Sequence, residues 1–418
     1  MIKHSLIMAA CLRSDGPRPP PKRPWQQQEK KQTYFCQLEG AFELKGEHNA
    51  SRGRYLAFSE ESARAALFID TATASHSPRS RSQAVQTLSC DYIGTMECLC
   101  INETALPMPT AAAQEDLPVI TMLVSEIMRE IADPANHLAY FVLPSQLNGA
   151  EYPSHTAVVA SVEKYKGDDT GGPRGQLAAH PGAAQFVLDN ARSTKQPDGI
   201  CATDLMQRDI EAAGLLKNNF CLINGYLQVP ELGSDAQYIL AADEWRRSAH
   251  LLRVLLMREA LATGLASDKR TLNLQHTHRV SLVYASAVPV NSYTNPFRSE
   301  PHANLVASVA HTTLVAQYYG ALVRAAADAR VTSDTVRVFL MPLGGGVFRN
   351  DVESIARAIS EAIEMLTARQ RLRLDIRFLA WEGCAESIKY RQLFADHNKL
   401  RKEKSHHGAQ VGRIIPAH

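Results

Sequence analysis

The stretch that decides the fold is VRVFLMPLGGGVFRNDVESIARAISEAI, residues 336–363. It opens with an apolar run, residues 336–343, of the kind found in strands buried inside a parallel sheet. Three glycines follow at once, and then apolar residues recur at helical spacing. Asn350 or Asp351 stands where a helix N-cap belongs. The stretch therefore predicts a buried strand, a glycine turn and a helix, which is one unit of an α/β fold.

The glycine turn also indicates a chemistry. Gly344, Gly345 and Gly346 can adopt positive φ and let a ligand approach the main chain without Cβ obstruction. Consecutive N–H groups in such a turn converge on an anion, and the N-terminus of the following helix adds to the attraction. Val347 continues the turn, and Phe348 can cover the ribose or the adenine of a bound nucleotide. We expect a diphosphate site at residues 344–348, completed by Asn350.

Two familiar nucleotide motifs do not fit this stretch. It has no GxxxxGK[ST] pattern, so the lysine and hydroxyl of a P-loop are missing, and its spacing is not the GxGxxG of dinucleotide-binding domains. A glycine turn required only for close packing stays open as an alternative.

Strands and helices alternate along most of the remaining chain, which predicts a mixed, mostly parallel sheet flanked by helices. In such folds ligands bind at the carboxyl ends of the strands. Strands are predicted at residues 137–144, 220–229 (a strand or a hairpin), 280–290, 336–343 and 372–381. Helices are predicted at residues 118–132, 178–190, 235–263, 303–329 and 351–368.

Polar residues follow three of these strands. Gln146, Asn148 and Glu151 come after the first, and Asn291 after the strand that ends near residue 290. The segment GDDTGGPRGQ, residues 167–176, looks like a Gly- and Pro-rich loop. Its adjacent carboxylates, Asp168 and Asp169, can orient ribose hydroxyls or act as acid and base, or they can form a solvated turn. Further candidate ligand contacts in this segment are Thr170, Gly172 and Gln176.

Composition narrows the function classes. The net charge of +2 lacks the basic excess of a general nucleic-acid binder. No apolar run reaches the roughly 18 residues of a membrane helix, so we expect an intracellular protein without a membrane partner. The eight cysteines include no CxxC pair, which favours reduced thiols and no metal site. We expect no required cofactor.

Two segments resemble macrodomains. The run LGGGVF, residues 343–348, looks like their second phosphate loop, and FVLPSQLNGAEYP, residues 141–153, resembles the first ligand loop of the divergent poly(ADP-ribose)-glycohydrolase-like members. The MavL-type effector branch is the most similar. The common NAAN motif and the glycohydrolase GGG-plus-QEE signature are absent, so the catalytic assignments of those enzymes do not transfer.

The resemblance implies an ADP-ribosyl hydrolase that acts on modified protein side chains, arginine-linked ones first, with ubiquitin among the possible targets. Glu151, Asp168 and Asp169 are then the candidate catalytic residues. A reader that binds ADP-ribose without turnover is the alternative, and a structural nucleotide-binding protein is a third. The macrodomain-like part spans residues 117–385. Residues 1–116 are expected to form a partly disordered extension or small accessory lobe, and residues 386–418 a basic, frayed tail.

Overall fold

A computed structural model of the protein describes residues 86–90, 94–100, 118–159, 162–168, 170–179, 183–184, 187–188, 220–249, 252–265, 272–291, 298–332, 334–367, 373–380 and 385–411. The ten strands within these ranges are β1 Gln86–Cys90, β2 Gly94–Cys100, β3 Ile120–Val124, β4 Tyr140–Ser145, β5 Cys221–Ile223, β6 Tyr226–Gln228, β7 Arg253–Leu265, β8 Leu272–Ser286, β9 Val336–Leu340 and β10 Leu374–Ala380. The main α-helices are α1 Ile127–Ala132, α2 Gly171–Ala178, α3 Asp235–Ser248, α4 Glu300–Thr332, α5 Val352–Thr367 and α6 Ala385–Val411.

Eight strands form one mixed sheet in the order β1-β2-β7-β8-β4-β9-β10-β3. The five strands from β8 to β3 run parallel, whereas β1, β2 and β7 extend the sheet by antiparallel pairing. This is the mixed, mostly parallel sheet that the alternating pattern predicts. Because β8, β4 and β9 are parallel neighbours, the loops that follow them meet at the same edge of the sheet.

Helices cover both faces of the sheet, and each face has its own apolar core. On one face α4 and α5 pack through residues such as Val309, Leu322 and Ile359. On the other face α1 and α2 cover Phe141 and Phe339, whose rings stack at 4.5 Å between centroids. With both faces covered, the central strands are apolar throughout, which explains why their sequences show no alternation.

Two of the helix predictions are wrong in part. Residues 118–132 contain strand β3 before the short helix α1, and residues 235–263 contain α3 followed by most of β7. The segment that becomes β7 is rich in Leu and Ala and also contains Met, Arg and Glu, all of which favour a helix locally. Pairing with β2 on one side and β8 on the other overrides that preference.

The sheet and its covering helices extend past the predicted boundaries at both ends. Strands β1 and β2 belong to the sheet although they lie in the segment expected to be an extension or accessory lobe. The expected tail is helical as far as Val411. Asn398 on α6 accepts the N–H of Ile120 at 3.0 Å and donates to its carbonyl at 2.9 Å, which holds α6 on the edge strand β3.

Candidate active site

The glycine turn follows β9 and is closed by Asn350. Gly344 has φ of 68°, and a Cβ there would lie 2.5 Å from Asn350 Nδ2 and 2.6 Å from Ala287 Cβ. The buried Asn350 side chain donates from Nδ2 to the carbonyl of Val288 at 3.0 Å and, more weakly, to that of Gly344 at 3.4 Å. Only glycine fits the first position, and Asn350 fastens the turn to the chain that follows β8.

The outer part of the turn is open. A Cβ on Gly346 would meet nothing within 4 Å, and Val347 is 58% exposed. The N–H groups of Gly345, Arg349 and Asn350 are used inside the turn. Within the described residues, those of Gly344, Gly346 and Val347 have no hydrogen-bond partner. The turn therefore has main-chain donors without a partner in the described part of the chain, two of them on the exposed residues Gly346 and Val347, as an anion site requires.

The segment after β8 is hydrogen-bonded to the same glycine turn. Val290 donates its N–H to the carbonyl of Phe348 at 2.9 Å, and Asn291 Nδ2 donates to the carbonyl of Val347 at 2.7 Å. The predicted ligand residue Asn291 thus lies beside the glycine turn, but its amide nitrogen supports the turn. The Asn291 amide fixes the carbonyl of Val347, and the Val290 N–H fixes that of Phe348.

Asp351 caps α5, and Asn350 does not. The Ser354 N–H and the Ser354 hydroxyl each donate to the Asp351 carboxylate at 2.8 Å. Partial burial would raise the pKa of Asp351, but these hydrogen bonds outweigh it and hold the pKa below its usual range. Of the two residues predicted as the N-cap of this helix, Asp351 takes that position.

The loop after β4 is organised by Gln146. This side chain is buried; its Oε1 accepts the N–H of Tyr152 at 2.7 Å, and its Nε2 donates to Glu151 Oε2 at 3.0 Å. The main chain closes the same loop, because the Gln146 N–H donates to the carbonyl of Ala150 at 2.8 Å. Gln146 is therefore bonded to both sides of the loop and orients the Glu151 carboxyl group.

The surroundings of the Glu151 carboxyl group favour its protonated form. A Cβ on Gly172 would lie 2.7 Å from Glu151 Oε1, so the first turn of α2 packs against the carboxyl group. Burial is the main cause that raises the pKa of Glu151 to about 8; the nearby Asp168 adds to the rise, and the Gln146 hydrogen bond opposes it. At neutral pH this carboxyl group is mostly protonated and can donate a proton.

Asp168 and Thr170 form a local turn beside Glu151. The N–H and the hydroxyl of Thr170 donate to Asp168 Oδ1 at 2.8 and 2.6 Å. This is the Asx-type bonding by which Asp commonly stabilises turns. The second oxygen of Asp168 is not used in these bonds. Asp169 lies outside the described residues.

The segment predicted as a Gly- and Pro-rich loop is helical from Gly171 onward, and two of its glycines let α2 lie close to β4. A Cβ on Gly172 would lie 2.1 Å from the Pro144 carbonyl, and one on Gly175 would lie 2.4 Å from Leu143. This close approach buries Gln176 completely between helix and sheet. The prediction that Gln176 lines an open loop is therefore wrong.

The buried side-chain amides of Gln176 and Asn148 have polar atoms without a hydrogen-bond partner in the described part of the chain. Within the described part of the chain, neither polar atom of the Gln176 amide has a hydrogen-bond partner, and Asn148 Nδ2 has none either. Asn148 uses only its Oδ1, which accepts the N–H of Ala150 at 3.1 Å. Both residues were predicted to bind ligand, and both retain donors for a buried water or for a polar group of a ligand.

The sequence pattern did not single out Tyr226. The β5–β6 hairpin turns at Asn224 and Gly225, both with positive φ, as an Asn-Gly turn predicts. A Cβ on Gly225 would lie 2.7 Å from Asn148, so the hairpin lies directly on the β4 loop. It brings the ring of Tyr226 to 5.9 Å from the ring of Phe348. The Asn-Gly signal predicts the hairpin but not what its next residue contacts.

A cavity of about 410 Å³ lies at the opposite edge of the sheet, near the start of β4 and β9. Its two arginines are already paired: Arg258 with Asp328 at 2.8 Å and Arg337 with Asp375 at 2.9 Å. A smaller hollow of about 380 Å³ borders Gly345 and Asn350, but Asp351, Glu353 and Glu386 line it. Lys389 also lines this hollow and is paired with Glu353, so the lining is mixed in charge with an acidic excess.

Within the described residues, no three His, Cys, Asp or Glu side chains are grouped to hold a metal ion. In that same part of the chain, no helix combines the length and the apolar composition needed to cross a bilayer.

No protein-family model and no curated protein matches the chain. Among solved structures, it is distantly similar to poly(ADP-ribose) glycohydrolases. The enzyme from Thermomonospora curvata shares 14% identity, with 72% of this chain and 85% of that chain covered and a TM-score of 0.37. The enzyme from Deinococcus radiodurans in complex with ADP-ribose shares 14% identity, over 71% of this chain and 88% of that chain, with a TM-score of 0.35.

Proposed function

We propose that this protein binds ADP-ribose and hydrolyses the glycosidic bond that links its distal ribose to a protein side chain, with arginine-linked ADP-ribose as the preferred substrate. One observation carries the proposal. A glycine turn with exposed main-chain donors and a carboxyl group with a raised pKa follow two neighbouring parallel strands, β9 and β4. An anion site beside a proton donor is what cleavage of a nucleoside-diphosphate sugar needs.

In this proposal the diphosphate binds the N–H groups of the outer glycine turn, and Phe348 covers the nucleoside. The distal ribose then extends toward Glu151. As the bond to the leaving group breaks, the protonated Glu151 transfers its proton to the leaving nitrogen or oxygen, and positive charge develops on the ribose. The Asp168 carboxylate is negatively charged close to Glu151 and can stabilise that charge or take a proton from the attacking water.

The reader without turnover remains a second candidate because of one feature of Asp168. Its Oδ1 is engaged by Thr170, as in an ordinary turn that has no chemical role. If Asp168 is only structural, Glu151 has no described carboxylate partner, and the site would bind ADP-ribose but cleave slowly or not at all.

Calorimetry with ADP-ribose, with ADP and AMP as controls, tests the binding half of the proposal. Incubation with arginine-, glutamate- and serine-linked ADP-ribosyl proteins, ubiquitin included, and with poly(ADP-ribose) tests the chemistry. Release from the arginine-linked protein supports the hydrolase, and release only from the polymer assigns a different substrate. Binding without release supports the reader, whereas absence of binding overturns both functions.

A further inference from the structure

Tyr226 lies between the glycine turn and Glu151. It is the first residue of β6, directly after the tight Asn224-Gly225 turn, and its side chain is only 2% exposed. Gly225 holds this turn against the β4 loop, since the Leu147 N–H donates to the Gly225 carbonyl at 3.0 Å. The position of Tyr226 is therefore fixed by its pairing with Ile223 in the hairpin and by the main-chain bond of the preceding Gly225 to the β4 loop.

The hydroxyl group of Tyr226 restrains the amide that bonds Glu151. It donates to the carbonyl of Tyr152 at 2.6 Å and accepts from Gln146 Nε2 at 3.3 Å. The same Nε2 donates to the Glu151 carboxyl group at 3.0 Å. One amide nitrogen has two hydrogens: one is directed at Glu151, and the other faces the Tyr226 hydroxyl at 3.3 Å and, more weakly, the Tyr152 carbonyl at 3.5 Å. Together with the Tyr152 N–H on Oε1, the Tyr226 hydroxyl thus helps to fix the plane of the Gln146 amide.

The ring of Tyr226 supports the glycine turn. It packs against Phe348 with a centroid separation of 5.9 Å and an interplanar angle of 57°, a tilted geometry favoured by aromatic pairs. Phe348 is half-buried, and it is also bonded through its carbonyl to Val290. Movement of Phe348 on ligand binding would therefore press directly on the Tyr226 ring.

We propose that Tyr226 is a positioning residue that couples the glycine turn to Glu151: its ring fixes Phe348, and its hydroxyl fixes the Gln146 amide that bonds the carboxyl group. This inference rests on the proposed function for its catalytic meaning, but the contacts that carry it are independent of any ligand. The other described groups near the carboxyl are Asp168, which raises its pKa, and Tyr165, whose hydroxyl accepts the Glu151 N–H at 2.9 Å.

The two halves of the coupling can be separated by substitution. Tyr226→Phe keeps the ring and removes the hydroxyl, so the Glu151 carboxylate should lose its well-oriented donor. The midpoint of Glu151 titration, followed by carbon NMR with Glu151→Gln for assignment, should rise by roughly half a unit or more. ADP-ribose affinity should stay within about twofold, because the aromatic contact is retained.

Phe348→Leu should do the reverse, with a loss of ADP-ribose affinity of roughly tenfold and an unchanged Glu151 midpoint. Tyr226→Leu should show both effects. If the protein hydrolyses the substrate, the alkaline limb of its pH profile should move with the Glu151 midpoint in each variant. An unchanged midpoint in folded Tyr226→Phe would overturn the proposal.

A second measurement covers the case in which Tyr226→Phe does not fold. Gln146→Met removes the amide through which Tyr226 acts, and should raise the Glu151 midpoint at least as far. Where the double variant folds, adding Tyr226→Phe to Gln146→Met should cause no further rise; additive shifts, or no shift in Gln146→Met, would contradict the coupling. If the wild-type protein binds no ADP-ribose, the proposed function fails, while these midpoints still decide whether Tyr226 positions Glu151.

Discussion

Gln146 donates a hydrogen bond to the carboxyl group of Glu151, five residues later in the same loop, with 3.0 Å between Nε2 and Oε2. The bond opposes the effect of burial, which is the larger of the two and raises the pKa of Glu151 to about 8. The loop after β4 thus presents an acid that is protonated at neutral pH yet held in one orientation.

Stability should depend on pH through Glu151. The pKa is raised in the folded state above the ordinary value of 4.5, so stability is fully present below about 4.5 and is lost as pH rises through about 8. Relative to Glu151→Gln, the wild-type protein should lose up to about 5 kcal/mol of unfolding free energy between pH 4.5 and 9. Urea unfolding of both proteins across this range measures the difference. A pH-independent difference would show that Glu151 titrates normally.

Charge at the open face of the glycine turn should control anion binding. Gly346→Glu has space for its side chain and should fold normally, but its carboxylate would repel the diphosphate. We expect ADP-ribose affinity to fall at least about 100-fold in Gly346→Glu by calorimetry. Gly346→Gln is the control of equal size, and it should lose much less. Equal losses in the two variants would point to steric blocking instead of charge.

Two glycines of similar sequence context should differ in their tolerance of a methyl group. Gly172→Ala would place Cβ 2.1 Å from the Pro144 carbonyl, so α2 must move away from β4. A loss of about 1–3 kcal/mol in unfolding free energy is expected. Gly346→Ala should be nearly neutral, because nothing lies within 4 Å of its Cβ. Thermal or urea unfolding of this pair tests whether α2 really packs at this distance.

The hydrogen bonds that the Asn350 amide donates should contribute to the stability of the fold. Asn350→Ala removes the bonds to the carbonyls of Val288 and Gly344 and should cost about 1–2 kcal/mol. Asn350→Asp is similar in shape but directs a carboxylate at those two carbonyl oxygens, so it should be destabilised further at pH 8 and recover partly at pH 4. Urea unfolding at both pH values checks the order. Greater stability of Asn350→Asp at pH 8 would rule out the assigned bonds.

Asn398 should protect the edge of the sheet. Its amide satisfies both the N–H and the carbonyl of Ile120 on the edge strand β3. Asn398→Ala should lower the unfolding free energy by about 1 kcal/mol and increase aggregation on storage, since an exposed strand edge can pair with other chains. Asn398→Gln shows whether the shorter side chain is needed. Light scattering and urea unfolding together measure both effects.

Elements whose signals lie within one short segment were predicted correctly, whereas elements that depend on contacts with other segments were not. The β9–glycine turn–α5 unit was predicted because all its signals lie within 28 consecutive residues: an apolar run, three glycines and a helical period. The helical segment that begins at Gly171 was predicted as a loop, because its glycines favour turns unless a neighbouring strand needs close approach. Likewise most of β7 was predicted as helix, because its residues favour a helix locally and its partner β2 lies far earlier in the chain, while the hairpin with β8 is too long to show in a short window.

By itself, the sequence determined the α/β class, the glycine turn, and the chain segments that carry Gln146, Glu151 and Asn291. These features depend on local propensity and on the order of strands and helices, which short stretches of sequence show. Only the tertiary structure decided that the half-buried Glu151 carboxyl packs against α2, that Asn350 closes the turn, and that Tyr226 lies between Phe348 and Gln146. Those facts depend on desolvation and on contacts between segments far apart in the chain, and no local pattern encodes the distance between two side chains.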